Sequence, residues 1–228
     1  MKGSNPQANT MKKAIILGAT GLTGSHLLEQ LLHHDSYSEI VVFGRRSVNQ
    51  KHPKLTEHLT DLMRLEKEEA RFNADEVFCC IGTTKAKTPD KETYRAIDYG
   101  IPLATAKLCR KNSIDTLVVI SAMGANPKSA VFYNRLKGEM EHAVLEENIP
   151  NTYIVQPGLI GGEREEQRTG EWIFKQLFKG LNLLMVGPLK KYRSIEPEQI
   201  AGAMISLANG KKPSGRYQND ELMELSAN

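Results

Sequence analysis

The 228-residue sequence is 40% hydrophobic, 25% charged and 6% aromatic, the balance of a soluble globular protein with one sizeable core and not of a disordered or fibrous chain. Its net charge of +3 is small and dispersed, which argues against nucleic acid as a partner, because such proteins carry a concentrated Lys/Arg footprint. No apolar run approaches the roughly 18 residues that span a bilayer, and the N-terminus lacks the apolar centre of a signal peptide, so the expectation is a cytoplasmic protein with no membrane partner.

Residues 1–11 open with the polar, turn-rich MKGSNPQANT and are set aside as a leader or tail. Residues 12–228 read as a single domain. Its elements begin with the strand AIILG, which runs into a helix from Leu22 to His33. A second strand, EIVVFG, follows, then a weaker one around HLTDLM. The strand EVFCCIG precedes a helix over Lys91 to Lys111, TLVVIS precedes one over Ala130 to Glu147, and TYIVQP ends the series. Short β-branched runs alternating with helical segments predict crossover units and a parallel sheet. The strands are continuously apolar, so both sheet faces are expected to be covered: a doubly wound, mostly parallel α/β Rossmann fold.

After Pro157 the pattern changes. A charged loop containing EREEQR (163–168) leads to a helix with Trp172, Phe174, Leu177 and Phe178, an apolar stretch LLMVGP, and a helix from Pro197 to Ala208. This predicts a smaller substrate-side subregion over 157–228. Cys79, Cys80 and Cys109 form neither a C-x-x-C pair nor a metal-ligand spacing, and the six histidines show no grouping, so no metal is expected. Cys79 and Cys80 are neighbours in a strand and should face opposite ways.

The stretch GATGLTG places Gly18, Gly21 and Gly24 at a strand-to-helix junction. There, glycines allow a tight turn, close approach of a pyrophosphate, and close packing of helix on strand. Thr20, Leu22 and Thr23 fill the turn and the first helical positions, where unpaired N–H groups and the helix dipole favour phosphate. A bare connection would need no such spacing of glycines. Where an NAD-binding unit carries an acidic residue about 20 positions on, this chain has Gly44-Arg45-Arg46. Two guanidinium groups in that place suit a 2′-phosphate, so NADP(H) is the expected cofactor; alternatively they are solvated charges covering the sheet end. Asp61 follows the third strand, where it can accept from adenine or cap a helix. Gly82, Thr83 and Thr84 close the fourth strand beside the cofactor, and Pro157 with Gly158 closes the sixth.

YNRLK sets Tyr133 and Lys137 at i and i+4, on one face of the helix after the fifth strand. A phenol is a poor acid–base catalyst near neutrality unless a nearby ammonium stabilises the phenolate, and the same ammonium can bind ribose hydroxyls. Taken in order, GATGLTG, GRR, VFCCIGTT, ISAMGA, YNRLK and QPGLIGGEREEQRTGEW resemble an atypical short-chain dehydrogenase/reductase, in particular the group of the mammalian Tat-interacting oxidoreductase-like protein. The resemblance covers the chain from Lys12 onward. It implies Tyr133 as general acid/base, Lys137 as ribose ligand and tuner of the tyrosine, and Ser121 as the group that orients a substrate carbonyl. Ser121 is followed by Ala122 and Met123 where many relatives carry further hydroxyls, and the family's catalytic asparagine has no assigned counterpart. Two functions follow: reduction of a carbonyl-type small molecule, or non-catalytic NADP(H) sensing that governs a protein partner.

Overall fold

The computed structural model describes residues 11–161 and 193–227. The leader, the EREEQR loop, the helix carrying Trp172, Phe174, Leu177 and Phe178, and LLMVGP lie outside the described residues.

Among the described residues seven strands pair in parallel throughout. They are β1 (Lys12–Leu17), β2 (Tyr37–Gly44), β3 (Leu55–Leu59), β4 (Glu76–Cys79), β5 (Thr116–Ile120), β6 (Asn151–Gln156) and β7 (Gly215–Gln218), in the order β3-β2-β1-β4-β5-β6-β7. The chain runs outward from β1 to β3 and then returns to place β4 on the other side of β1. That reversal opens a crevice at the carboxyl ends of β1 and β4, where open α/β sheets bind ligands.

Both faces of the sheet are covered. On one face α1 (Leu22–His33) and α5 (Pro197–Asn209) bury Leu27, Leu31, Ile200 and Met204 against Ile16, Val42, Phe78 and Val118. On the other face α3 (Ile101–Lys111) and α4 (Phe132–Glu146) bury Cys109, Met140 and Val144 against Ile15, Val41, Val77 and Val119. Successive strand residues alternate between the two cores, as a period of two requires. Cys79 accordingly joins the second core and Cys80 packs against the first, and all three cysteines are free thiols. Burial pushes the Cys79 thiol up to about 11.

Two of the expected elements take other bounds, and two more follow at the C-terminal side. The third strand, LTEHL, starts ahead of the predicted HLTDLM segment and shares only His58 and Leu59 with it, and a 3-10 segment (Leu62–Arg71) begins within the rest. The helix predicted over Lys91 to Lys111 is interrupted: α2 (Lys91–Arg95) passes through a π-helical turn (Ala96–Gly100) into α3, with Ile101 N bonded to Ala96 O. Beyond α5 the chain adds edge strand β7 and α6 (Asn219–Leu225), so the described part of the C-terminal region builds onto the main sheet.

At the amino ends of the strands a buried polar knot ties these layers together. Glu76, at the start of β4, pairs with Lys12 of β1 and accepts from Tyr37 Oη of β2 at 2.5 Å, while Asn209 of α5 donates to Tyr37 Oη at 2.7 Å. Burial and then the Glu76 charge raise the Tyr37 phenol well above its usual value, keeping it a donor. The opposite end of the sheet is thereby left for the site. Phe78 is fully buried in the central β4, and Phe78→Ala should cost about 3–5 kcal/mol in urea denaturation; a loss below about 1 kcal/mol would contradict this account of the core.

Candidate functional site

The glycine turn lies at the carboxyl end of β1. Gly18 has φ +88°, and a Cβ there would lie 2.7 Å from the Cys80 carbonyl oxygen. At Gly24 a Cβ would lie 2.0 Å from the Gly18 carbonyl oxygen. Neither position admits a side chain without moving backbone, so the first turn of α1 rides directly on the end of β1. Gly21 donates its N–H to Gly18 O at 2.9 Å and stands as the N-cap of α1, with no side chain capping the helix and no acidic residue in its first turn. The amino end of α1 is therefore a concave, uncapped, electropositive surface that fits a phosphate.

Across from this turn lies the segment after β2. A cleft of about 480 Å³ is walled by Ala19, Thr20, Ser25 and Leu28 on one side and by Arg46 to Gln50 on the other. Arg45 and Arg46 are exposed. Arg46 is brought to the cleft with Thr20, whereas Arg45 is not among the lining residues.

A second polar group sits at the carboxyl end of β4. Lys137 and Asp98 are 3% and 1% exposed at their side chains, and Lys137 Nζ stands 2.9 Å from Asp98 Oδ1. The other carboxylate oxygen accepts from Thr83 N at 2.8 Å. Gly82 lies beside the pair, since a Cβ there would be 3.7 Å from Asp98 Oδ1 and 3.9 Å from Lys137 Nζ. Burial pulls the Lys137 ammonium down, but the Asp98 charge, then Tyr133 and the hydrogen bond to Asp98, outweigh it and hold the group above the usual lysine value. Tyr133, one turn earlier on α4, is 37% exposed, so a buried cation underlies an accessible phenol.

Asp98 was not singled out from the sequence, although a signal exists. Tyr94, Asp98, Ile101, Thr105 and Cys109 fall at helical spacing, and all are buried; a carboxylate on such a stripe needs a partner. The π-helical turn carries Asp98, and such turns frequently occur at functional sites.

Other expected residues are placed differently. Ser121 is 3% exposed, and its hydroxyl donates to Glu141 Oε1 at 2.5 Å. Glu141 is itself buried and also accepts from Gln156 Nε2 at 2.8 Å and Arg216 Nε at 2.6 Å. The Ser121 hydroxyl is thus held in a knot joining β5, β6, β7 and α4. Asp61 caps the 3-10 segment by accepting from Met63 N at 3.0 Å, the second of the two readings its position allowed. Thr83 Oγ1 is bonded to Thr88 Oγ1 at 2.8 Å, and Thr84 O accepts from Lys87 N and Thr88 N, so these threonines shape the loop after β4. Pro157 O accepts from Met123 N, and Gly158 N donates to Asn219 Oδ1 at 2.8 Å; both stand at the end of β6 with their backbone committed. Among the described residues no three His, Cys, Asp or Glu side chains gather as a metal site.

A parallel sheet that reverses order beside a glycine turn and an uncapped helix defines an NAD(P)-binding Rossmann protein. Residues 14–141 match the NAD dependent epimerase/dehydratase family, and the chain belongs to that family. It is 30% identical over 201 residues to the mitochondrial protein FMP52 of Debaryomyces hansenii, covering 86% of this chain and 87% of that one. To HTATIP2 of Rattus norvegicus it is 29% identical over 174 residues, 75% of this chain and 72% of that one, in keeping with the Tat-interacting resemblance. Among solved structures, the enzyme WbmG of Bordetella bronchiseptica in complex with NAD superposes with a TM-score of 0.68 at 14% identity, over 93% of this chain and 73% of that one. The UDP-N-acetylglucosamine 4-epimerase of Methanobrevibacter ruminantium gives 0.68 at 18% identity, over 94% and 81%. The cytoplasmic location expected from the sequence is overturned, because fungal relatives at 28–32% identity are named as mitochondrial proteins. Among the described residues no helix is long and apolar enough to cross a membrane.

The buried pair sets a testable balance. Lys137→Met leaves the Asp98 carboxylate buried without its cation and should cost about 3–5 kcal/mol; the double variant Asp98→Asn/Lys137→Met should recover most of that loss. Because the folded-state value of Lys137 is raised, the pair's contribution is fully present below the unfolded lysine value and fades only as pH rises through the folded one. Equal losses in the single and double variants, or a contribution that disappears near neutral pH, would contradict the pairing.

Proposed function

We propose that the protein is an NADP(H)-dependent oxidoreductase that reduces a carbonyl-type small molecule, with Tyr133 as general acid/base. The observation that carries the cofactor reading is the shared cleft: Ala19 and Thr20 of the glycine turn stand on one wall and Arg46 on the other. In this reading Thr20, Leu22 and Thr23 present backbone N–H groups to the pyrophosphate, while Gly18, Gly21 and Gly24 let it approach the backbone. Arg46, assisted by Arg45, meets the 2′-phosphate with forked, charge-assisted hydrogen bonds. Asp61, Gly82, Thr83, Thr84, Pro157 and Gly158 border the rest of the nucleotide. When bound, the nicotinamide supplies the hydride.

The chain's own residues handle the proton. Lys137 carries three N–H donors, and those not directed at Asp98 can hold ribose hydroxyls. The Tyr133 phenol gives its proton to the developing alkoxide, and the Lys137 charge stabilises the phenolate that remains. Asp98 offsets part of that charge, so the tyrosine is tuned by an ion pair and not by a bare ammonium. The mitochondrial names of the fungal relatives make that organelle the place to seek its substrate.

The alternative, an NADP(H)-sensing protein that acts on a protein partner without catalysis, draws on one observation. With Ser121 committed to Glu141 and followed by Ala122 and Met123, the carbonyl-orienting hydroxyl of the family pattern has no free counterpart at the end of β5.

Fluorescence titration should give a Kd for NADPH at least about tenfold below that for NADH, and Arg46→Ala should remove about 1.5–3 kcal/mol of NADPH binding while sparing NADH. Equal affinities in the unmodified protein would sink the cofactor reading. Across a panel of aldehydes, ketones and quinones followed by NADPH absorbance, Tyr133→Phe should lower turnover at least about a hundredfold with NADPH binding intact. Unchanged turnover in that variant would remove Tyr133 from the mechanism, and no turnover by the unmodified protein on any carbonyl would favour the sensing reading.

A further inference from the structure

The segment that bears the two arginines is held from below. After β2 the chain leaves the sheet at Gly44 and passes through Arg45 and Arg46 before Ser47 and Val48 return to it. Glu57 of the neighbouring β3 meets it there with both carboxylate oxygens: Oε1 accepts from Val48 N at 2.7 Å and Oε2 from Ser47 Oγ at 2.9 Å. Ser47 Oγ in turn accepts from Asn49 N at 3.0 Å, and Asn49 takes a left-handed φ of +54°. The serine hydroxyl is therefore oriented, its proton spent on Glu57 and its lone pair on Asn49. The side chain of Val48 packs against the first core, and Gln50 Nε2 donates to Glu29 Oε2 of α1 at 3.1 Å.

This fastening has a consequence for selectivity. Arg46 immediately precedes two residues fixed to one carboxylate, and it lines the cleft opposite Thr20. A long cation held on a free loop loses side-chain and backbone entropy when it engages a phosphate, whereas one on a fixed loop has already lost the backbone part. We propose that Glu57 is a positioning residue for nucleotide choice, fixing the 46–49 segment so that Arg46 faces the position of a 2′-phosphate. Glu57 does not touch the nucleotide in this account; it acts through Ser47 and Val48. The proposal rests on the NADP(H) reading given above.

The test compares Kd values for NADPH and NADH in the full chain and in Glu57→Ala, Glu57→Gln and Arg46→Ala, with 2′,5′-ADP and 5′-AMP as minimal probes. Glu57→Ala should weaken NADPH and 2′,5′-ADP by roughly tenfold, and NADH and 5′-AMP by less than about twofold. Glu57→Gln, whose carbonyl still accepts from Val48 and whose amide can donate to Ser47, should stay within about threefold of the unmodified protein for all four. Equal weakening of all four ligands in Glu57→Ala would mean a general structural role and overturn the proposal, as would no change in any. If Arg46→Ala loses NADPH preference while Glu57→Ala keeps it, the proposal alone falls. If the unmodified protein already binds NADPH and NADH equally, the cofactor reading falls and the proposal with it.

Discussion

The site depends on a backbone contact that only glycine permits. Gly24, in the first turn of α1, lies so close to the Gly18 carbonyl that an added Cβ would stand 2.0 Å from its oxygen. Gly18 in turn is pressed against the end of β4 at Cys80. These contacts seat the amino end of α1 directly over the gap between β1 and β4, where the strand order reverses. The helix then has no side chain to cap it, and its dipole and free N–H groups look into the crevice. A larger residue at either position would push the helix away and remove the anion cradle along with the packing of Leu27 and Leu31 beneath it.

Around that fixed corner the molecule uses buried charge to place exposed chemistry. At the amino ends of the strands Glu76, Lys12 and Tyr37 bind the layers together. At the carboxyl ends, Asp98 holds Lys137 under the accessible Tyr133, while Glu141, one turn further along α4, gathers Ser121, Gln156 and Arg216. Tyr133, Lys137 and Glu141 occupy one stripe of α4 at four-residue intervals, from an exposed position to two buried ones. Helix α4 is thus anchored by two buried polar groups, which supports a precise position for the tyrosine at its exposed end. Such groups are costly to bury and strongly destabilising to break, so they specify one arrangement more than they add net stability.

Much of this was legible in the sequence for physical reasons. GATGLTG is readable because only a strand–helix junction under close approach demands glycines at that spacing, and the strand runs are readable because burial on both faces leaves no alternation. The Tyr133–Lys137 pair follows from the helical period. Asp98 was hidden because its partner is 39 positions away and because the π-helical turn shifts the helix phase; only its place on an apolar stripe betrayed it. The bond from Ser121 to Glu141 was hidden because a strand-end hydroxyl has the same sequence whether it faces a cleft or a buried carboxylate 20 positions away. The short edge strand GRYQ carried no apolar run to announce it, and the third strand was displaced because LTEHL is only half-buried at the sheet edge. Glu57 was invisible for the same reason as Asp98: its importance lies in what it meets across the β2–β3 pair.

In the proposed NADP(H) complex one cleft holds the pyrophosphate on the glycine turn and the 2′-phosphate on Arg46. A crystal structure of the protein grown with NADPH tests it most directly. The account predicts the pyrophosphate against the N–H groups at the start of α1 and the 2′-phosphate within hydrogen-bond reach of the Arg46 guanidinium. A nucleotide bound elsewhere, or bound there with its 2′-phosphate free in solvent and both arginines turned away, would contradict it.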